Sequence, residues 1–435
     1  MKVTFINPNF TRQTSRDALE PLAFAVLAGL TPPSVKRVFY DERVEGVPLD
    51  EPTDLVAISV QTFTAKRAYC IAAEYRKRGV PVVLGGYHPT LQAQEASRYA
   101  DSVAVGDAEE IWPSILADAA AGRLKSRYDA PVHSGQTAFR AVYDRSIFRG
   151  KPYPVLKPVQ FSRGCRFDCD FCSVRAFYGA GVKCRALADV IDEIRGIRSR
   201  YLFFVDDNLF TNRSLLEKLL AALKPLRRIF ACQISIDAAR DDALPRLMAE
   251  AGCRAVFIGF ESFDEGNLAA MNKRANRPVE YQQVVDRYKS SGIMVTGSFM
   301  FGYDHDSQDT VRQALEFALE QKLCLAHFNP LFPFPGTPLL DRLKAENRLL
   351  YDDWWINDDY RYGECHFRPR RMEPQEMELA IQEARKKFND IGSILRRFAD
   401  FRANAAGVTN AFLYWSANLA SRSEIARKLR MRVGA

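Results

Sequence analysis

Apolar residues fall into one repeated rhythm in the first part of the chain. Over residues 1–121, short runs without internal alternation (Val3–Ile6, Arg37–Tyr40, Leu55–Val60, Val80–Leu84 and Ser102–Val105) are bounded by Asn, Pro, Asp or Gly. Such runs predict strands buried on both faces. Between them Leu19–Leu30, Thr64–Arg78, Thr90–Ala100 and Ile111–Ala121 carry helical spacing. This alternation predicts an α/β fold built on a doubly wound, Rossmann-like parallel sheet, whose ligands bind beyond the carboxyl ends of the strands. Those ends hold Asn7-Pro8-Asn9, Gln61-Thr62-Phe63-Thr64, Gly85-Gly86-Tyr87-His88-Pro89-Thr90 and Gly106-Asp107-Ala108-Glu109-Glu110.

Residues 122–158 break the pattern and read as a linker, rich in proline and basic residues. A second alternation fills residues 159–349. Its strands are Val159–Ser162, Tyr201–Val205, Ile229–Ser235, Ala255–Gly259, Met294–Phe301 and Leu325–Asn329; helices fit at Ala186–Arg195, Arg213–Leu223, Asp241–Ala251, Pro278–Ser291 and Thr310–Lys322. Six βα units in series predict a partial, open (β/α)6 barrel with its site at the carboxyl ends of the strands. Residues 350–435 turn mainly helical after an aromatic loop with Trp354, Trp355, Tyr360 and Tyr362. That loop and Ala411-Phe412-Leu413-Tyr414-Trp415 suit either an apolar substrate pocket or ordinary helical core. No internal repeat or low-complexity run stands out.

Composition narrows the class. At 435 residues, 47% apolar and 26% charged, the chain is globular rather than disordered. Its best candidate membrane span, Leu22–Leu30, has half the needed length, and the start lacks a secretory signal, so a cytoplasmic protein is expected. The formal charge of +8 is concentrated at the end, where the segment from Arg385 onward holds 11 Lys/Arg against 3 Asp/Glu. A solvated helical face explains that bias; peripheral contact of Ile425–Val433 with an anionic membrane is the sharper expectation. Global charge gives no argument for a nucleic-acid partner. The 9 cysteines, an odd number, argue for reduced thiols.

Six cysteines are scattered singly and read as small buried residues. The others form Cys165-Arg166-Phe167-Asp168-Cys169-Asp170-Phe171-Cys172, a C-x3-C-x2-C loop directly after the first strand of the second domain. Three thiolates at this spacing suit an iron–sulfur cluster with one iron free of cysteine. Zinc is the alternative, but structural zinc usually needs a second ligand pair, and no histidine lies near the loop.

With Phe171 before its last cysteine, this loop resembles the signature of the radical S-adenosylmethionine (radical SAM) superfamily. The resemblance implies that Cys165, Cys169 and Cys172 hold a 4Fe–4S cluster. The remaining iron would bind S-adenosylmethionine, whose one-electron cleavage leaves a 5′-deoxyadenosyl radical. It also implies contacts to S-adenosylmethionine from Phe171, Asp206, Asp207, Asn208, Gln233, Ser235, Glu261 and Ser298, with Asn329 weaker, and an external one-electron donor such as flavodoxin or ferredoxin. Pro333-Phe334-Pro335-Gly336-Thr337-Pro338 matches the family too, as a shaper of the pocket floor.

The Gly85-Gly86 and Gly106-Asp107-Ala108-Glu109 turns resemble the cobalamin-binding domain that precedes many radical SAM domains. The resemblance implies cobalamin contacts from Gln61, Thr62, Gly85, Gly86, His88, Gly106 and Glu109. The Asp-x-His-x-x-Gly motif, which supplies a lower cobalt ligand in methionine-synthase-type domains, is absent. The whole chain looks like the group containing anaerobic magnesium-protoporphyrin cyclase and hopanoid-modifying enzymes. Cobalamin-dependent methyl transfer to an unactivated carbon is the leading expectation. Ring closure, rearrangement or oxidation of a tetrapyrrole or terpenoid lipid without cobalamin is the alternative. A non-catalytic cobalamin sensor would leave the cysteine loop unexplained.

Overall fold

The computed structural model describes residues 1–11, 14–15, 18–131, 136–428, 431 and 433. Strands β1 (Lys2–Asn7), β2 (Lys36–Asp41), β3 (Leu55–Ser59), β4 (Val82–Gly85), β5 (Ser102–Val105) and β6 (Arg127–Asp129) form a parallel sheet in the order β2-β1-β3-β4-β5-β6. Its runs are continuous because both faces are covered. Val3, Phe5, Leu55 and Ala57 pack under α1 (Leu22–Leu30) and α3 (Ala108–Ala120), while Val56, Ile58 and Leu84 pack under α2 (Ala65–Lys77). Strand β6 comes from the stretch that reads as linker. The helix expected over Thr90–Ala100 is two short pieces, Tyr87–Leu91 and Ala93–Ala96.

The chain continues through β7 (Gln136–Ala138), β8 (Lys157–Val159), β9 (Ser162–Arg163), the helix α4 (Ser173–Tyr178) and β10 (Val182–Cys184). The expected strand Val159–Ser162 is thus split between β8 and β9. The buried Asp206 carboxylate takes the N–H groups of Phe161 and Ser162, donors that a strand would spend on its neighbour. Strands β7, β10 and β9 make a small sheet of their own.

Strand β8 opens the second parallel sheet, joined by β11 (Tyr201–Phe204), β12 (Ile229–Gln233), β13 (Cys253–Glu261), β14 (Met294–Phe301) and β15 (Leu325–Pro330) in the order β15-β14-β13-β12-β11-β8. Strands β8 and β15 are its two edges. One face packs on helices such as Arg213–Leu223, whose N-terminus is capped by Asn212 accepting from the Leu215 N–H at 3.3 Å. The other face is concave. Phe257 on β13 and His327 on β15 are two strands apart, which a flat sheet would separate by about 10 Å, yet their ring centroids lie 5.4 Å apart.

The C-terminal region is helical: α5 (Pro374–Phe388), α6 (Ile391–Phe398) and α7 (Val408–Lys428). Helix α5 covers β15 from outside, and Tyr414 of α7 is buried with Met294 and Cys324. Trp354, Trp355, Tyr360 and Tyr414 are therefore core, while Tyr351 and Tyr362 are only half-buried and Phe412 is exposed. Trp354, Trp355 and Tyr360 are fully buried against the α2 face of the first sheet, and the Trp355 indole donates to Glu95 at 3.0 Å. His366 is enclosed among Phe332, Trp354 and Tyr360, with ring centroids 4.6–4.8 Å away. Neither of its nitrogens has a partner among the described residues, and burial pushes its pKa down to about 3. No helix of the described residues is long and apolar enough to cross a membrane. Leu429, Arg430 and Arg432 of the basic stretch Ile425–Val433 lie outside the described residues.

Candidate active site

The three-thiol loop leaves β9 at the carboxyl end of the second sheet and ends at Cys172, which stands at the N-terminus of α4. Gly164 begins it with φ +86°, where a Cβ would sit 2.3 Å from the Gly181 carbonyl; its N–H donates to Asp207 at 2.8 Å. The backbone of Asp170 holds the middle of the loop, its N–H donating to the Met271 carbonyl and its carbonyl accepting from Leu339. Burial pushes the Cys169 thiol up to about 12 and raises Cys172 also. The cation opposing both shifts is Lys273, whose Nζ lies 2.9 Å from Glu261 Oε1. Burial opposes that charge, but Glu261 and the thiols together hold the Lys273 pKa above its ordinary value. Three neighbouring thiols beside a buried cation fit a thiolate-bound iron–sulfur cluster, whose irons would finish the deprotonation the lysine favours.

Several of the expected S-adenosylmethionine residues gather at this mouth. Asn208 Nδ2 is 3.9 Å from Cys165 Sγ and donates to Ser235 Oγ at 3.1 Å, while its Oδ1 accepts from the Ser235 and Phe210 N–H groups. Gln233 ends β12 in solvent and donates to the Asp207 carbonyl at 3.1 Å. Glu261 ends β13 with φ +64°. Ser298 pairs in register with Gly259 on one side and His327 on the other. Asp206 does a different job: buried, it holds the Phe161–Ser162 backbone, and burial pushes its pKa up to about 7. Phe171 packs against an apolar cluster containing Leu268, Met271 and Tyr303.

A cavity of about 270 Å³ opens at the carboxyl end of the first sheet, between the strands and helices α1 and α3. Its strand-end walls are small: Ala57, Ser59, Gly85, Gly86, Ala104 and Gly106. Gly86, at φ +99°, has no room for a side chain, since a Cβ would stand 3.0 Å from the Val60 N and O. Gln61 and Glu109 also line the cavity. His88 does not. It is fully buried, with Nε2 3.1 Å from Tyr69 Oη and 3.0 Å from Glu95 Oε1, next to Trp355. Thr62 is likewise buried in a short turn away from the lining. An apolar space floored by small residues at strand ends fits part of a cobalamin inserted beneath them, not the whole molecule.

The residues joining these two places carry no sequence signal. Arg163, one step before Gly164, is buried, stacks 4.3 Å over Phe139 and pairs with Asp107 at 3.2 Å and Glu109 at 2.8 Å. With Phe177 and Tyr178 of α4 it walls the first-sheet cavity. Lys273 is equally silent in sequence, a lone lysine after the short helix Glu265–Ala270.

Residues 159–318 match the model of the Radical SAM superfamily. The bacteriochlorophyllide d C-12(1)-methyltransferase of Chlorobaculum tepidum is 31% identical over 363 residues, covering 81% of this chain and 78% of that protein. The hopanoid C-2 methylase of Rhodopseudomonas palustris is 27% identical over 77% of this chain and 66% of its own. Among solved structures, the radical S-adenosylmethionine methyltransferase TsrM from Kitasatospora setae, with cobalamin and a 4Fe–4S cluster bound, superposes with a TM-score of 0.67 over 98% of each chain at 16% identity. That likeness shows a common fold.

Proposed function

The chain belongs to the radical SAM superfamily, in its B12-binding methyltransferase group, and from that premise we propose that it transfers a methyl group to an unactivated carbon of a tetrapyrrole, using the residues at the two sheet mouths. Cys165, Cys169 and Cys172 hold the cluster. Asn208, Gln233, Ser235, Glu261 and Ser298 surround S-adenosylmethionine, and Gln61, Gly85, Gly86, Gly106 and Glu109 border the cobalamin. Bound together, these groups supply reductive cleavage of S-adenosylmethionine and delivery of the methyl group.

The chain's own part is placement and shielding. The observation that carries the reading is the single segment 163–178. It bears all three thiols, and its two ends, Arg163 at one and Phe177 and Tyr178 at the other, wall the first-sheet cavity. One short stretch thus borders the thiols and the first-sheet cavity alike, which supports a methyl transfer between groups held at the two. The Arg163 pairs to Asp107 and Glu109 fix that stretch to the first sheet. Asp206 and Asp207 fix its start through the backbone of Phe161, Ser162 and Gly164. The Lys273–Glu261 pair keeps a positive charge beside the thiolates, where it stabilises their anionic form.

Anaerobic purification with cobalamin supplied, followed by iron, sulfide and cobalt analysis of one sample, tests this. About four irons and one cobalt per chain are expected, with S-adenosylmethionine cleaved to 5′-deoxyadenosine under reduction. Iron without cobalt would replace methyl transfer by the cobalamin-free alternative, and absence of iron would overturn both.

A further inference from the structure

The concave face of the second sheet holds a side chain that neither cofactor site uses. His327, in the middle of β15, projects onto this face and stays solvent-accessible although its strand neighbours Ala326 and Phe328 are buried. Its imidazole makes no hydrogen bond or ion pair among the described residues. Its company is the Phe257 ring on one side and Ser298 in register on the other. The protein that surrounds its recess disfavours the charged ring, and the nearby Arg385 charge adds to this; together they push its pKa down to about 4, so the ring is neutral with a free lone pair at any physiological pH.

Arg385 adds a cation at the edge of this face. It reaches from α5 over the free edge of β15, donating to the Phe328 carbonyl at 2.8 Å and to Asn329 Oδ1 at 3.3 Å. No carboxylate pairs with it among the described residues, and burial lowers its pKa. An unpaired, partly desolvated guanidinium is costly unless an anion completes it. The concave face thus offers a neutral nitrogen donor and, at its open edge, a cation lacking its anion.

We propose that His327 is the axial ligand of a magnesium tetrapyrrole bound on the concave face and that Arg385 takes a carboxylate of the same molecule. Magnesium in a tetrapyrrole has four equatorial nitrogens and keeps an axial position for a neutral donor, and an imidazole beside a cation cannot be lost to protonation. A hopanoid offers neither a metal nor an anion, and would strip water from His327 and Arg385 without replacement. This inference rests on the methyl-transfer reading above, since it places the substrate of that reaction.

The test uses the holoenzyme and two chlorins with a free propionate, one carrying zinc as a magnesium stand-in and one metal-free. The wild type is expected to bind the zinc form at least about tenfold more tightly, with the absorption change of a five-coordinate metal. His327→Ala and the bulkier His327→Gln should lose that preference, and added imidazole should restore it to the alanine variant. Arg385→Gln should abolish the preference for the free acid over its methyl ester while keeping the preference for zinc. Equal binding of both chlorins by the wild type overturns the proposal. So does a His327→Ala protein that keeps the metal preference, or one whose only defect is weaker S-adenosylmethionine binding. Iron and cobalt content and S-adenosylmethionine cleavage, read on the same samples, report folding and the methyl-transfer reading separately.

Discussion

The two large sheets share their design, six parallel strands with the site at the carboxyl ends, but they make their sites in opposite ways. The first makes room by omission. Gly85, Gly86, Gly106, Ala57 and Ala104 leave space beneath the strand ends, and the walls are mostly apolar, with Gln61, Glu109 and Arg163 among them. The second works by addition: three thiols, the Lys273–Glu261 pair and Asn208 are side chains brought together from separate elements. A site made of omitted side chains is damaged by bulk, whereas one made of charged and metal-binding groups is damaged by removing a single partner.

The largest expected effect separates the two sheets outright. Cys169→Ala should remove the cluster and all S-adenosylmethionine cleavage while cobalt content stays near one per chain; iron and cobalt assay of the same protein reads both. Cys324→Ala, at a buried thiol beneath α7, should change neither. The reciprocal experiment is Gly86→Val, with Ala104→Leu as a variant free of backbone strain. Each should lower cobalt content by about tenfold or more, worth roughly 1.4 kcal/mol of binding, and leave iron intact. Loss of both metals from either variant would mean that the two sites are not independent.

Next in size, Lys273→Met leaves Glu261 buried without its cation. Denaturant unfolding should show a loss on the order of 3 kcal/mol, and Lys273→Met with Glu261→Gln should recover most of it. The smallest effect lies at His366 and depends on pH. Its folded pKa of about 3 lies below the unfolded value of 6.5, so within that interval the unfolded chain takes up a proton that the folded chain refuses. Stability therefore falls as pH drops from 6.5 towards about 3. His366→Phe should remove that slope, gaining on the order of 2 kcal/mol at about pH 5 relative to pH 7; thermal melts at several pH values would show it.

Much of this architecture was legible in the sequence, for identifiable reasons. Strands buried on both faces leave unbroken apolar runs, and β1, β3 and β14 fall where those runs are. The three cysteines lie within eight residues, so their chemistry needed no fold. What escaped notice depends on distant partners. The split between β8 and β9 is caused by Asp206, more than forty residues downstream. His88 has the look of a ligand beside two glycines, yet Tyr69 and Glu95 claim it from the other side of its helix. Arg163 and Lys273 have no pattern around them, and only the folded chain shows that one joins the sheets and the other faces the thiols.

The tryptophans of the aromatic loop have a consequence for the order in which the molecule is made. Trp355 reaches back to Glu95, 260 residues earlier, and with Trp354 and Tyr360 completes the α2 face of the first sheet. While the ribosome is still translating the second sheet, that face has α2 but not its aromatic cover, and Tyr69, Ile71 and Tyr75 have only part of their final packing. The N-terminal unit thus waits, incompletely packed, for a segment near the far end of the chain. Such long-range closure slows folding and lengthens the exposure of sticky surface. A nascent chain arrested before Trp354 should therefore be a better chaperone client and protease substrate than one released a few tens of residues later.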